Sequence, residues 1–189
     1  GALTLNGDVE SDGALDFTNV GAISLGGAVA ITGQDSDAAN AKKNITFDSA
    51  NVITGAQTLS LAGDTVTLHQ VGNGTADPTS LTATAGTSLT LNDNLTIDGA
   101  VALDANVAAI ALAANSVIDA SGGTDAGISL ADVIGNFNLT LTGDAGSAIS
   151  LDGADVNALT LTAGGALTLN GDVESDGALD FTNVGAISL

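Results

Sequence analysis

A stretch of 25 residues, GALTLNGDVESDGALDFTNVGAISL, occurs twice without one change, at 1–25 and again at 165–189. Each position of the second copy is its counterpart's number plus 164, as Gly165 is to Gly1. A run of identities that long does not arise by chance, and repetition at a fixed offset marks solenoids and arrays. The chain reads as one full tandem unit, residues 1–164, followed by the start of the next, residues 165–189. The expectation is a window from a longer array continuing beyond both ends, and the opening Gly1 in place of a methionine agrees with it.

A shorter rhythm runs inside the long one. Short segments alternate apolar and polar residues, as in Leu3-Thr4-Leu5, Leu15-Asp16-Phe17, Ile23-Ser24-Leu25 and Val29-Ala30-Ile31. Alternation at period two places one set of side chains on each face of a strand. Gly, Asn and Asp punctuate these segments and permit sharp corners. Leu139, Leu159 and Leu179 are spaced 20 and 20, while Ile149, Leu167 and Ile187 are spaced 18 and 20. Two separate strand positions therefore recur about every 20 residues. That spacing predicts an all-β fold, a parallel β-solenoid whose coils of two or three short strands stack on one another. Phe17 and Phe47 are 30 apart, one coil plus an inserted loop of ten. Seven or eight coils are expected over the span 1–164.

Three segments break the rhythm and are read as corner loops: 34–43 (QDSDAANAKK), with room for a helical turn, 71–79 (VGNGTADPT) and 121–127 (SGGTDAG). Residues 107–114 (VAAIALAA) have the alanines of a helix, but Ile110 and Leu112 alternate, which favours a strand. This run, the longest apolar one, is too short to cross a bilayer.

Composition narrows the core and the partners. There is no Trp, Tyr, Met or Cys, and the aromatic residues are Phe17, Phe47, Phe137 and Phe181. Leu, Ile, Val and Ala must fill the interior, which suits a narrow core in which each layer needs few side chains. Acids number 22 against two lysines, for a formal net charge of −20. Counting the shared stretch once leaves 18 acids and the two lysines, a net −16 for each tandem unit. Such a surface repels nucleic acid and anionic membrane along its length and draws divalent cations. Without cysteine, disulfides and thiolate metal sites are excluded.

Runs such as LTLTAGGALTLNGDV (159–173) and ALDFTNVGAISLGGAVAITG (14–33) resemble the repeat regions of filamentous haemagglutinin-like exoproteins, large bacterial surface adhesins of the two-partner-secretion and autotransporter kinds. The resemblance extends over nearly the whole chain as texture. It implies a right-handed parallel β-helix, an extracellular or bacterial cell-surface location, and a fibre that displays or links.

Candidate sites are few. Asp8, Glu10 and Asp12 place carboxylates at alternate positions, read as a turn, with Asp16 close by; Asp172, Glu174 and Asp176 repeat them. Such a set supplies part of the oxygen shell that calcium needs, although neither the β-roll nonapeptide nor an EF-hand loop is present. Asp35, Asp37 and Asp125 are weaker versions, and solvated corner acids are the plainer reading. No other cofactor is implied. His69 stands alone, with Asp64 the nearest acid, and Arg, Tyr and Trp, the residues of lyase bases and sugar platforms, are absent, so an enzyme is not expected. Lys42 and Lys43 are read as loop charges and the N-x-T sequons as composition, while Thr-x-Thr pairs such as Thr65/Thr67 and Thr160/Thr162 do not recur on one coil-spaced face as a flat ice-binding surface would need. The expected function is a structural segment of a long acidic extracellular fibre or adhesin stalk. Its expected partners are further copies of the repeat, end to end, with lateral self-association into filaments. The alternatives are a calcium-binding matrix or surface-layer-type protein, and tandem β-sandwich binding modules.

Overall fold

The structure is a computed structural model that describes residues 1–33, 43–105, 109–124, 126–162 and 165–189. Every regular element in it is a strand. In chain order these are β1 (Leu3–Leu5), β2 (Val9–Ser11), β3 (Leu15–Asp16), β4 (Ile23–Leu25), β5 (Val29–Gly33), β6 (Ile45–Thr46) and β7 (Ile53–Thr54). Then follow β8 (Thr58–Leu68), β9 (Ser80–Leu91), β10 (Leu95–Thr96), β11 (Ala100–Ala105), β12 (Ile110–Leu112), β13 (Ser116–Asp119) and β14 (Ile128–Leu130). The last are β15 (Val133–Thr142), β16 (Ile149–Leu151), β17 (Ala154–Thr162), β18 (Ala166–Leu169), β19 (Val173–Ser175), β20 (Leu179–Asp180) and β21 (Ala186–Ser188).

All pairings are parallel and join each strand to one about a coil further on, so the chain is a β-solenoid. Three ladders run its length. The first stacks β1, β4, β7, β10, β13, the second halves of β15 and β17, and β20. Val71 carries this ladder across the loop between β8 and β9 through single bridges to Ile53 and Leu95. The second ladder is β2, β5, the first halves of β8 and β9, β11, β14, β16, β18 and β21. The third is β3, β6, the second halves of β8 and β9, β12, the first halves of β15 and β17, and β19. Long strands change ladder at a break in register, between Gly63 and Thr65 in β8 and between Gly135 and Asn138 in β15.

Inward positions are apolar, as the alternation predicts. Leu139, Leu159 and Leu179 lie directly over one another, and so do Ile149, Leu167 and Ile187. Phe17 and Phe47 stack with ring centroids 4.9 Å apart and planes within 8°. They therefore belong to adjacent coils despite their 30-residue separation. The core is one continuous column, from Leu5 to Leu167, of mostly Leu, Ile and Val. Residues 110–112 are strand, while most of loop 34–43, Lys42 included, and Asp125 lie outside the described residues. Loop 71–79 closes on a buried carboxylate: Asp77 accepts the amides of Asn73 at 2.6 Å and Gly74 at 2.9 Å.

Corners are held by side chains that take over from the ladder. Asn94 Oδ1 accepts the Val117 amide and Asn115 Oδ1 the Asn138 amide, each from the next coil. Asn157 Nδ2 then donates to Asn138 Oδ1 at 2.6 Å, continuing the column. Phe137 alternates with Leu139 and Leu141 in sequence but does not share their inward face. It falls in the register break after Gly135, whose φ is 146°, and its ring is turned to the surface. No helix among the described residues is long and apolar enough to cross a membrane.

Candidate functional site

The carboxylates singled out for calcium lie on strands as well as corners. Val9 points inward in β2, so Glu10 points outward, beside Thr32 of the next coil. Asp8 Oδ1 accepts the Ala30 amide at 2.8 Å, which makes it a corner bond between coils. Asp12 is exposed at the following corner. The expectation of a turn at this stretch is thus corrected: the apolar Val9 claims the inner face and the ladder extends the backbone. In the second copy, Glu174 lies next to Asp155 in the third ladder. Asp132, Asp152, Asp155, Asp172 and Glu174 line one open cleft there, while Asp176 lies beyond it. Among the described residues no group of three or more His, Cys, Asp or Glu side chains converges as a metal site would.

Asp16 and Asp180 are the same residue in the two copies and behave alike. The hydroxyl of Thr18, and then its amide at 2.9 Å, hold the Asp16 carboxylate below the usual range. The hydroxyl and amide of Thr182 do the same for Asp180. A depressed carboxylate favours the folded corner above the ordinary pKa and loses that contribution as pH falls through the lowered value. His69 is half-buried, and Asp64, its nearest acid in sequence, accepts the Thr87 hydroxyl. Thr46, Thr67 and Thr90 line up over three coils, and the column ends at Ala111.

The most informative region is where the shared stretch appears for the second time. Here β18 stacks on β16, β19 and β20 stack on the two halves of β17, and β21 stacks on β18. The first copy is covered on its other side, where β5, β6 and β7 stack on β2, β3 and β4. One sequence is thus seen with a coil beneath it and, separately, with a coil above it.

Its glycines report the difference. A Cβ on Gly7 would meet nothing within 4 Å, whereas one on its copy Gly171 would lie 2.0 Å from the Asp152 carbonyl oxygen. Gly1 is likewise open, and Gly165 would meet the Ser147 carbonyl oxygen at 1.9 Å. These positions need glycine only where another coil lies beneath. The apolar residues report the opposite side: Ile23 is 1% exposed and Ile187 52%, Leu25 4% and Leu189 96%. Asn51, itself buried, donates to the carbonyls of Val20 at 2.7 Å and Gly21 at 3.2 Å and so clips the second coil to the first.

The two copies also occupy different ladders. β1 is in the first ladder, and its copy β18 is in the second. β2 and β3 are in the second and third, and their copies β19 and β20 are in the third and first. Among the described residues, seventeen named strands separate the two starts; four of them serve two ladders and Val71 adds one position, which makes 22 strand positions. At three positions per coil, the offset between the copies is seven and a third coils, a shift of one third of a turn. Comparisons with family models, with curated proteins and with solved structures find no match.

Proposed function

We propose that this chain is a structural segment of a long, acidic, extracellular β-solenoid fibre or adhesin stalk, built from periods equivalent to 1–164 that continue one another. The observation that carries this reading is the contrast between Gly1 and Gly7 on one hand and Gly165 and Gly171 on the other. Glycines with open space in the first copy are sterically required in the second, where a coil lies beneath. The shared stretch is therefore suited to a stacked position at both of its occurrences. The exposed Ile187 and Leu189, buried in their first-copy counterparts Ile23 and Leu25, make the matching argument for the upper side.

In this reading the work of the protein is geometric. Ladders of parallel strands make a stiff rod, corner loops decorate it, and the number of periods sets its reach. The partners are further copies of the repeat, end to end, with lateral association into filaments or a matrix. The net charge of −20 keeps such a polymer apart from nucleic acid and anionic lipid. The extracellular placement rests on the resemblance to surface adhesins. Electron microscopy of the native material tests the reading. A thin rod is expected, with a long repeat of roughly 35 Å from seven and a third coils at about 4.8 Å each. Compact beads at another spacing would replace it with a string of independent modules.

A further inference from the structure

We propose that Asn73 is a self-modification site: the backbone nitrogen of Gly74 attacks the Asn73 side-chain carbonyl, and the asparagine becomes aspartate or isoaspartate without an enzyme. The site lies in the corner loop 71–79 and stands apart from the fibre reading. Water is the co-reactant and ammonia the leaving group.

The loop brings together the parts such a reaction needs. Asn73, Gly74 and Thr75 are exposed at its tip, so water reaches the reacting amide. The nucleophile is the Gly74 N–H, which donates to both carboxylate oxygens of Asp77, at 2.9 and 3.1 Å. Asp77 is only 5% exposed and also accepts the Asn73 amide at 2.6 Å, so its carboxylate is fixed against the proton it takes as general base. The electrophile is the Asn73 side-chain carbonyl, whose Oδ1 accepts the Thr75 amide at 3.0 Å. A donor there stabilises the negative charge that develops on Oδ1. Gly74, at a φ of 77°, has no side chain to obstruct the approach of its nitrogen. In the step, the Asp77 carboxylate takes the Gly74 proton, the Gly74 nitrogen bonds to Asn73 Cγ, and the Cγ–Nδ2 bond breaks. The proton departs with Nδ2 as ammonia, which restores the carboxylate and leaves a cyclic imide. Water opens the imide at either carbonyl, giving aspartate or isoaspartate.

Asn170-Gly171 is the same residue pair in the opposite setting. Asn170 Nδ2, the nitrogen that would leave, donates to Asp152 Oδ1 at 3.0 Å and Ser150 Oγ at 3.2 Å. Gly171 packs so closely on the coil beneath that a Cβ would lie 2.0 Å from the Asp152 carbonyl oxygen. Closing an imide there means breaking a corner column. A Cβ on Gly74 would meet nothing within 4 Å, so the tip of loop 71–79 has room to turn. The stems of that loop are clamped to neighbouring backbone: the Gly72 amide donates to the Ile53 carbonyl at 2.7 Å and the Gly55 amide to the Ala76 carbonyl at 2.6 Å. Modification therefore stays at the tip. It adds one negative charge to a corner and, as isoaspartate, lengthens the backbone there, while the ladders keep their register.

The test follows both asparagines in the full 189-residue chain, folded and unfolded in denaturant at the same pH. Cleavage before aspartates releases Asn73 within 64–76 and Asn170 within 155–171, and tandem mass spectrometry locates each conversion. Folding is expected to speed conversion at Asn73 by about a hundredfold, the low end of what a positioned base contributes, and to slow it at Asn170. The rate at Asn73 in the folded chain is expected to stay nearly level from mild acid to neutrality, because a carboxylate replaces hydroxide as the base. The unfolded chain's rate should climb with hydroxide. Asp77→Asn is expected to return Asn73 to the unfolded rate or below, and Asp77→Glu to recover part of the loss. Conversion of Asn73 no faster in the folded chain than in the unfolded one overturns the proposal, since the hydrogen bonds would then lock the loop. So does an Asp77→Asn chain that converts as fast as the parent or faster. Neither result touches the fibre reading, which depends on the rod seen in native material.

Discussion

At the scale of the residue, the molecule contains its own controls. Gly7 and Gly171 have the same sequence neighbours but different spatial ones. Gly7→Ala places a methyl group in open space and is expected to leave stability unchanged. Gly171→Ala drives that methyl group into the Asp152 carbonyl and is expected to cost about 1–3 kcal/mol, the usual penalty for overpacking. Hydrogen exchange of β18 to β21 checks it, since loosening should be confined to the coils around the substitution. Equal effects at the two positions would remove the main support for the fibre reading. The glycine pattern was invisible in the sequence, where both copies read as corner punctuation. Only the coil beneath Gly171 separates required from tolerated. The carboxylates of Asp8, Glu10 and Asp12 show the same limit. Their alternation suggests a turn presenting oxygens together, but Val9 packs against the core and the backbone there is extended.

At the scale of the element, stacking identical or similar strands in parallel brings like residues together, which is favourable for Leu and unfavourable for acids. Asp155 and Glu174 are exposed neighbours in the third ladder, in the cleft shared with Asp132, Asp152 and Asp172. Like charges directly opposite one another destabilise a pair by a few tenths of a kcal/mol to about 1 kcal/mol. Asp155→Asn is therefore expected to stabilise the chain by about 0.5 kcal/mol at low salt. The gain should shrink as ionic strength rises and the Debye length contracts. Thermal melting of both proteins at two salt concentrations measures it; a variant less stable than the parent at low salt would mean that Asp155 makes a favourable contact outweighing the repulsion. The ladders themselves were legible in advance. Leu139, Leu159 and Leu179, spaced by 20, pair as the spacing demands, and the 30-residue step from Phe17 to Phe47 spans a single coil. Phe137 was not legible, because its alternation with Leu139 and Leu141 continues unbroken through a register break that only Gly135 marks.

At the scale of the whole molecule, the decisive quantity is the remainder when 22 strand positions are divided among three ladders. Spacing alone could not supply it. The corner insertions change residues per coil without changing strands per coil, so the span 1–164 divides into coils only once every pairing is known. The remainder of one means that a continuing array is a screw: each period advances roughly 35 Å and turns by one third of a circle relative to the ladders. A corner loop carried once per period then faces three directions in succession, and the same face returns only after three periods, 22 coils or roughly 106 Å. The proposed fibre would then offer lateral contacts on all three sides instead of along a single stripe, which would suit a mesh more than a flat sheet. Helical reconstruction of rods from the native material is expected to give a rise of roughly 35 Å with a third of a turn per period, added to whatever twist the ladders carry. A rise of that size with no such turn would place both copies of the shared stretch in one ladder. It would contradict the pairing of Leu167 with Ile149 and of Leu179 with Leu159, on which the screw depends.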